Sequence, residues 1–256
     1  MHSSPRRIMT SNPLITLAVP SFNQGAFLEQ ALRSIFEQNL PIEVFLADAG
    51  STDNTLSVIE EWSDRLSGWR SHPDKGQAAA INECIAYGTA PYVAWLNSDD
   101  CLLPNKLMTL VQALTEQPTA PAAYGRAWHY HQETSTPRPV WVEPFSERRL
   151  ATRCIICQPA TLIRRIAWEA LGGLNTDLSF AMDYDLWWRL YRNFGPLAFV
   201  DDDIAINREH EHTKTRRNRK AHYAEAMSIV KQYYGRVPIK WWLAQPYAVW
   251  FRSLFG

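Results

Sequence analysis

Over roughly its first 130 residues the chain alternates short apolar runs with segments whose apolar residues recur at helical spacing, and nothing else in it constrains the fold as strongly. Leu14–Val19 reads as a buried strand, and Ala26–Gln38 then sets Phe27, Leu28, Ala31, Leu32, Ile35 and Phe36 on one helical face. Ile42–Ala47 is a second strand. Ser51-Thr52-Asp53-Asn54 follows as turn and helix cap, with Leu56, Ile59 and Trp62 continuing at helical spacing. A short strand near Trp69–His72 leads through Gly76 to a helix over Ala78–Tyr87. Tyr92–Leu96 is a further strand, and Pro104 opens a helix to Leu114. This order predicts an α/β fold, a mostly parallel sheet flanked by helices. Ligands of such sheets bind beyond the carboxyl ends of the strands. The polar clusters Pro20-Ser21-Phe22-Asn23, Asp48-Ala49-Gly50-Ser51 and Asn97-Ser98-Asp99-Asp100 fall at those ends.

After about residue 120 the pattern loosens. Gln132–Pro139 is polar and proline-rich, a loop; Trp168–Leu171 and Tyr184–Asn193 read as helices around a Gly172-Gly173 break. Leu197–Val200 reads as a strand and Ala221–Tyr234 as a helix. Lys240–Phe255 is aromatic and basic, divided by Pro246 into two short pieces. No internal repeat or low-complexity block is visible.

With 46% hydrophobic and 20% charged residues in 256, the chain buries a core and is not a disordered polymer. Its zero net charge conceals an asymmetry. From Ala205 onward ten Lys and Arg face three acids, a balance of +7, so the preceding residues carry −7. An acidic body with a basic tail suggests cations in the body and an anionic surface near the tail. The opening MHSSPRRIMTSNP lacks the apolar region of a secretory signal, and four cysteines do not make a disulfide scaffold. The expectation is therefore a reducing compartment. No uncharged apolar run reaches about 18 residues, which argues against a spanning helix.

Neither a Gly-x-Gly-x-x-Gly nor a Gly-rich Lys-Ser/Thr loop is present, so dinucleotide dehydrogenases and P-loop enzymes lack their phosphate cradles here. Asn97-Ser98-Asp99-Asp100 offers adjacent oxygen ligands for Mg²⁺ or Mn²⁺, or a polar turn before the next helix. Asp48, at a strand tip, can accept from a base N–H or a ribose hydroxyl; Asp53 can do likewise or cap a helix. Cys154-x-x-Cys157 lacks the second close pair that zinc requires, and reads as apolar filler. Trp187-Trp188 reads chiefly as core, with one ring available to an acceptor pocket. Arg216-Arg217-Asn218-Arg219-Lys220, followed by Lys240-Trp241-Trp242-Leu243 with Tyr247, Trp250 and Phe251, has the composition of an interfacial segment; burial against the body is the other reading. No recognition-helix or RNA-module signature accompanies the basic run, so nucleic acid is not expected as a partner.

Taken in order, Val19-Pro20-Ser21-Phe22-Asn23, Asp48-Ala49-Gly50-Ser51-Thr52-Asp53, Asp74-Lys75-Gly76-Gln77 with Ala80 and Asn82, and Leu96-Asn97-Ser98-Asp99-Asp100 resemble the family-two glycosyltransferases of GT-A fold, of the bacterial cell-surface polysaccharide type. Gln158-Pro159, Gly172-Gly173 and Asp183-Tyr184-Asp185-Leu186 with Arg189 carry the likeness to about residue 215. The resemblance therefore implies a GT-A-like domain over 1–215 and leaves 216–256 as a basic, aromatic helical extension. It also implies that Pro20, Ser21, Asn23, Asp48, Asp53, Lys75, Gly76, Gln77, Asn82, Asn97 and Ser98 hold a nucleotide sugar, with uridine as the default base.

The family's metal-binding Asp-x-Asp begins here with Asn97, so metal ligation falls to Asp99 and Asp100. His210 matches a third ligand, with His212 as the spare. Asp185, Trp187, Arg189, Arg208 and Lys214 are assigned to the diphosphate or acceptor. The family's Glu-Asp pair is Met182-Asp183 here, which leaves Asp183 as the base removing the acceptor proton. The implied activity is Mn²⁺- or Mg²⁺-dependent sugar transfer with inversion, from a nucleotide sugar to an acceptor hydroxyl. A lipid-linked acceptor at the inner face of a membrane is the setting. The rivals are a sugar nucleotidyltransferase, whose Gly-rich basic loop is missing from Pro20–Phe27, and a non-catalytic, membrane-docked nucleotide-sugar binder.

Overall fold

The structure is a computed structural model that describes residues 12–131, 136–210 and 218–245. A single sheet runs β3-β2-β1-β4-β8-β6-β9-β5, with β7 paired to β6. Its first half is the parallel sheet that the alternation predicts: β1 (Ile15–Ser21), β2 (Ile42–Asp48), β3 (Gly68–Ser71) and β4 (Tyr92–Trp95). Beyond β4 the expectation of a mostly parallel sheet gives way to mixed pairing. β8 (Thr161–Arg164) runs antiparallel to both β4 and β6 (Ala122–His131), β9 (Ala198–Glu209) runs parallel to β6, and β5 (Cys101–Leu102) runs antiparallel to β9.

The period of two along the strands divides the interior into two layers. Ile15, Leu17 and Val19 of β1 pack with Leu28, Leu32 and Ile35 of α1 (Gly25–Phe36), with Ile59 of α2 (Thr55–Trp62) and with Leu110 and Leu114 of α4 (Leu107–Glu116). Ala18, on the other face of β1, joins Ile81 and Ile85 of α3 (Gln77–Tyr87), Leu150 of α5 (Glu147–Thr152), Trp168 of α6 (Arg165–Ala170) and Trp187 and Trp188 of α7 (Met182–Phe194). Ala226, Met227, Ile229 and Val230 of α8 (Arg219–Tyr234) and Trp241 of α9 (Ile239–Gln245) belong to this second layer. Packing therefore continues across the 215/216 division, and α8 shares one core with the preceding residues.

Two segments depart from the sequence reading. The loop expected at 132–139 contains β7 (Pro137–Pro139), which pairs with the end of β6; its residues 132–135 lie outside the described residues. The strand expected at 197–200 continues through Asp201-Asp202-Asp203 to Glu209. Three acids in a row have poor strand propensity. Here Asp201 pairs with Arg126 of β6, and Asp202 is held by Lys106 at 2.8 Å. β9 also shifts register against β6 on either side of Arg126, as at a bulge.

Candidate functional site

The loops after β1 and β2 are tied together. The Asn23 N–H donates to Ser51 Oγ at 2.7 Å, and Asn23 Oδ1 accepts the Thr52 N–H at 2.9 Å. Asn23 sits in the left-handed region at φ 52°, which asparagine tolerates. Asp53 bridges two helix starts: it accepts the Gly25 N–H at 3.0 Å and, from Thr55, the N–H at 3.0 Å and the hydroxyl at 2.5 Å. Against the upward push of partial burial, these bonds hold its carboxyl below the usual range. A Cβ on Gly25 would stand 2.0 Å from Asn54 Oδ1, so only glycine allows the two loops this approach.

Asp48 is fully buried at the end of β2. Its Oδ2 accepts from the Gly50 and Ser51 amides and from Ser71 Oγ, and its Oδ1 accepts from the Ser51 hydroxyl. Asp48 and Asp53, expected on base and ribose, are thus engaged in shaping the loops. Ser21 and Gln24 are placed differently. Ser21 Oγ and Gln24 Oε1 are buried and have no partner among the described residues. Ser21 pairs in register with Asp48, and Pro20 with Ala47, so both reach the carboxyl edge of the sheet.

Across this edge, β4 delivers Asn97-Ser98-Asp99-Asp100. Asn97 is central to a half-buried amide network: its Oδ1 accepts Gln77 Nε2 at 2.7 Å, while its Nδ2 donates to Asp100 Oδ2 at 3.1 Å and to Gln158 Oε1 at 3.3 Å. Asp100 is 1% exposed and also accepts the Arg208 N–H at 2.9 Å and Asn207 Nδ2 at 3.3 Å. Burial, then the neighbouring Asp99, push its carboxyl well above the usual range. Asp100, expected as a metal ligand, is instead a buried clip between the β4–β5 turn and β9.

Asp99 is the acid that faces the site. His210 Nε2 lies 3.0 Å from Asp99 Oδ2. The His210 ring stacks on Phe27 with centroids 4.8 Å apart, and the Arg208 guanidinium lies over the same Phe27 ring at 5.0 Å. Arg208 Nη2 donates to Gln30 at 2.6 Å, while its Nε is a further buried group with no partner among the described residues. Phe27, read from sequence as one of the core-facing positions of α1, is the residue missed. Its helical spacing carries no sign that the first turn of α1 meets the end of β9.

On the other side stand α7 and its neighbours. Burial raises the Asp183 carboxyl above its ordinary value, against a 2.7 Å bond from the Tyr184 N–H and the pull of His222. His222 of α8 was not singled out from sequence. Burial pushes its imidazole below the ordinary value, while Asp183 and Glu225 pull it up. The Cys157 thiol, pushed up first by burial, feels both Asp100 and Asp183, so the two halves of the site approach one sulfur. All four cysteines are free.

Several expected residues serve the scaffold. Asn82 binds the N–H and C=O of Leu174, each at 2.9 Å, and so holds the Gly172-Gly173 turn. Asp185 is buried, paired with Arg189 at 2.7 Å and bonded by the Tyr233 hydroxyl at 2.9 Å; Arg189 also donates to the Leu171 carbonyl. Trp187 is fully buried and stacks on Trp95 at 6.0 Å, so its ring lines no open acceptor pocket. Ser98 is buried, Lys75 is exposed, and Gly76 precedes α3 at φ 105°. Lys214 and His212 lie outside the described residues.

Comparison with known proteins bears on the family and the fold. The family model described as Glycosyl transferase family 2 matches residues 16–168, more than half of the chain. A chondroitin synthase of Escherichia coli is 26% identical over 199 residues, a match covering 77% of this chain and 29% of that protein. The chain thus spans less than a third of that relative. Among solved structures, S. aureus TarS 1-349 in complex with UDP has a TM-score of 0.66 at 17% identity, over 86% of this chain and 64% of that one. The mannosyltransferase PcManGT of Pyrobaculum calidifontis, in complex with GDP-Man and Mn²⁺, has a TM-score of 0.66 at 21% identity, over 96% and 74%. These likenesses establish the GT-A-like fold.

Proposed function

The chain belongs to glycosyltransferase family 2, and from that premise we propose that it transfers a sugar from a nucleoside diphosphate sugar, UDP by default, to an acceptor hydroxyl. One observation carries this reading. Asp99, His210 and Arg208 gather beside Phe27 in the first turn of α1, and Ser21 and Gln24 just before that helix, like Arg208 itself, hold buried polar atoms without partners among the described residues. Unpaired buried polar atoms are costly, and a polar ligand relieves that cost. Ser21 and Gln24 would meet the nucleoside and Arg208 the diphosphate.

The donor set fits a divalent cation. A carboxylate beside an imidazole is a donor pair that would hold a divalent cation, and Asp99 Oδ2 and His210 Nε2 stand in contact at 3.0 Å. No group of three or more His, Cys, Asp or Glu is gathered to hold a metal among the described residues. Asp99 and His210 would thus be the protein's share, the rest of the shell coming from diphosphate and water. Bound there, Mn²⁺ or Mg²⁺ would neutralise the leaving diphosphate.

Asp183 takes the acceptor proton. Its raised pKa brings it closer to neutrality, where a carboxylate base is most effective. A base on one side and the diphosphate group on the other suit a single displacement with inversion. α9 divides its tryptophans: Trp241 is buried, its Nε1 donating to the Ala151 carbonyl at 2.8 Å, whereas Ile239, Trp242 and Leu243 are exposed beside Lys240. This face suits an anionic membrane surface and, with it, a lipid-linked acceptor in bacterial polysaccharide assembly at the inner face of a membrane. No helix among the described residues is long and apolar enough to cross a membrane.

Calorimetric titration of UDP, GDP and dTDP with and without Mn²⁺ tests the donor site. Metal-dependent binding of one nucleotide, lost in Asp99→Ala, is the expected result. No binding with metal present would reject it, and binding without turnover on any sugar acceptor would leave a nucleotide-sugar-binding scaffold. For the membrane face, truncation after Tyr234 should abolish sedimentation with anionic liposomes; unchanged sedimentation would sink that part.

A further inference from the structure

Helix α7 starts at Met182, and its N-cap, Ala181, has no side chain to satisfy the free amides of the first turn. Their neighbours are satisfied from a distance. Glu225 of α8 accepts the N–H groups of three successive residues: Ser179 at 2.9 Å, Phe180 at 2.8 Å and Ala181 at 2.9 Å. Both carboxylate oxygens are used, and the clamped segment ends two residues before Asp183. The same helix packs Ile229 and Val230 into the core beside α7, stacks Tyr233 on Trp188 at 6.1 Å and 7°, and bonds Asp185 through the Tyr233 hydroxyl. The start of α7 is therefore fixed at both ends of its first turn by α8.

We propose that Glu225 is a positioning residue for Asp183: its carboxylate, clamping three consecutive amides, sets where the acceptor-side base stands. The proposal rests on the reading of Asp183 as that base. It makes α8 part of the catalytic unit, although the matched family region ends at residue 168. The groups that face Asp183 are His222 of α8, Cys154 and Cys157 of the segment after α5, and Tyr184 of α7 itself.

Two variants of the full chain test the proposal. Glu225→Ala removes the acceptor; Glu225→Gln keeps one oxygen at the same reach. Amide hydrogen exchange at residues 179–181 reads the clamp. Carbon-13 NMR of labelled aspartate reads the Asp183 titration, its signal assigned by its loss in Asp183→Asn. In Glu225→Ala, exchange should become about 10- to 100-fold faster, as for hydrogen bonds to a charged group. The Asp183 titration should move down toward ordinary aspartate as water reaches the loosened turn. Glu225→Gln should fall between, and carries both readouts if Glu225→Ala fails to fold. Faster exchange with an unmoved Asp183 titration would make Glu225 a helix cap alone and overturn the proposal. Unchanged exchange would overturn the clamp itself. Failure of the underlying reading appears separately: an Asp183→Asn chain that released UDP from UDP-GlcNAc as fast as the native chain would remove Asp183 as the base while leaving the clamp measurement intact.

Discussion

Asp99 and Asp100 are adjacent acids of identical chemistry, and the structure predicts opposite consequences for replacing them. Asp100 accepts three hydrogen bonds, two at Oδ1 from Asn207 and the Arg208 amide and one at Oδ2 from Asn97 Nδ2. In Asp100→Asn the new carbonyl oxygen keeps the Oδ1 pair, but the new NH₂ then faces the Asn97 NH₂. Asn97 cannot turn over to help, because its Oδ1 already receives Gln77. One donor is left facing a donor in a buried site, at a cost of about 1–3 kcal/mol. For a chain of this size that is a fall in Tm of about 2–12 °C. Asp99→Asn alters one hydrogen bond, to His210, and leaves an amide oxygen able to accept it, so it costs about 0.5–1.5 kcal/mol, an ordinary hydrogen bond at most. Its penalty appears in calorimetry with Mn²⁺, as at least a tenfold loss of UDP affinity, equivalent to about 1.4 kcal/mol. Folded Asp100→Asn should bind UDP within about threefold of the native chain, a difference under 1 kcal/mol. If Asp100→Asn melted at the native temperature and lost metal-dependent binding, the division between the two acids would be wrong and Asp100 would return to the ligand set.

Three further outcomes are expected. In Gly88→Ala the new Cβ would meet Thr16 Cγ2 at 2.3 Å and Glu43 Oε1 at 2.8 Å, which should cost about 1–3 kcal/mol in urea unfolding with an unchanged m value; a native midpoint would mean that this packing yields. Phe27→Ala removes the ring between His210 and Arg208 and should weaken UDP binding about 2- to 5-fold, the range of a partly exposed cation–π contact; full affinity would place the diphosphate elsewhere. Burial lowers the His222 pKa, so between that depressed value and the ordinary 6.5 the unfolded chain binds more protons and stability rises with pH. Burial raises the Asp183 pKa, so from the ordinary 3.8 up to the raised value stability falls with pH. Urea melts across pH 4–7 should show His222→Gln losing less stability below about pH 6.5 than the native chain, the unperturbed histidine value; parallel curves would show that His222 does not titrate there.

The parallel half of the sheet was legible because each strand is a continuous apolar run and each helix keeps one apolar face. β6 and the continuation of β9 beyond Val200 were not, because what makes them strands lies far away in sequence. Arg126 and Asp201 are 75 residues apart, and Lys106 and Asp202 are 96 apart. The positions of the polar clusters at strand ends located the site, but not the duties within it. Asp48, Asp53, Asn82 and Asp185 have the composition of ligand-binding residues, yet each also has a partner distant in sequence, Ser71, Gly25, Leu174 and Tyr233 respectively, that local spacing does not announce. Glu225 is the same limitation in reverse. It stands in a helix whose sequence gives it no special mark, and the amides it holds lie 44 to 46 residues earlier.

The strand order also bears on how the domain is made. β1 to β4 are complete by residue 95, and every pairing among them, β4 to β1 included, lies within that stretch. β5 follows at once, yet its partner is the far end of β9, with Cys101 opposite Ile206. Asp99 just before β5 and His210 just after β9, separated by 111 positions, meet only when that edge closes. Contacts of such long range are the slow ones in folding, and synthesis supplies the N-terminal half first. On a growing chain the parallel half can therefore assemble while Asp99 still lacks its partner, and the Asp99–His210 pair proposed to hold a cation forms only after residue 210 has left the ribosome. A ligand that grips both residues stabilises the folded chain by mass action, drawing together two ends of a domain that were made at different times.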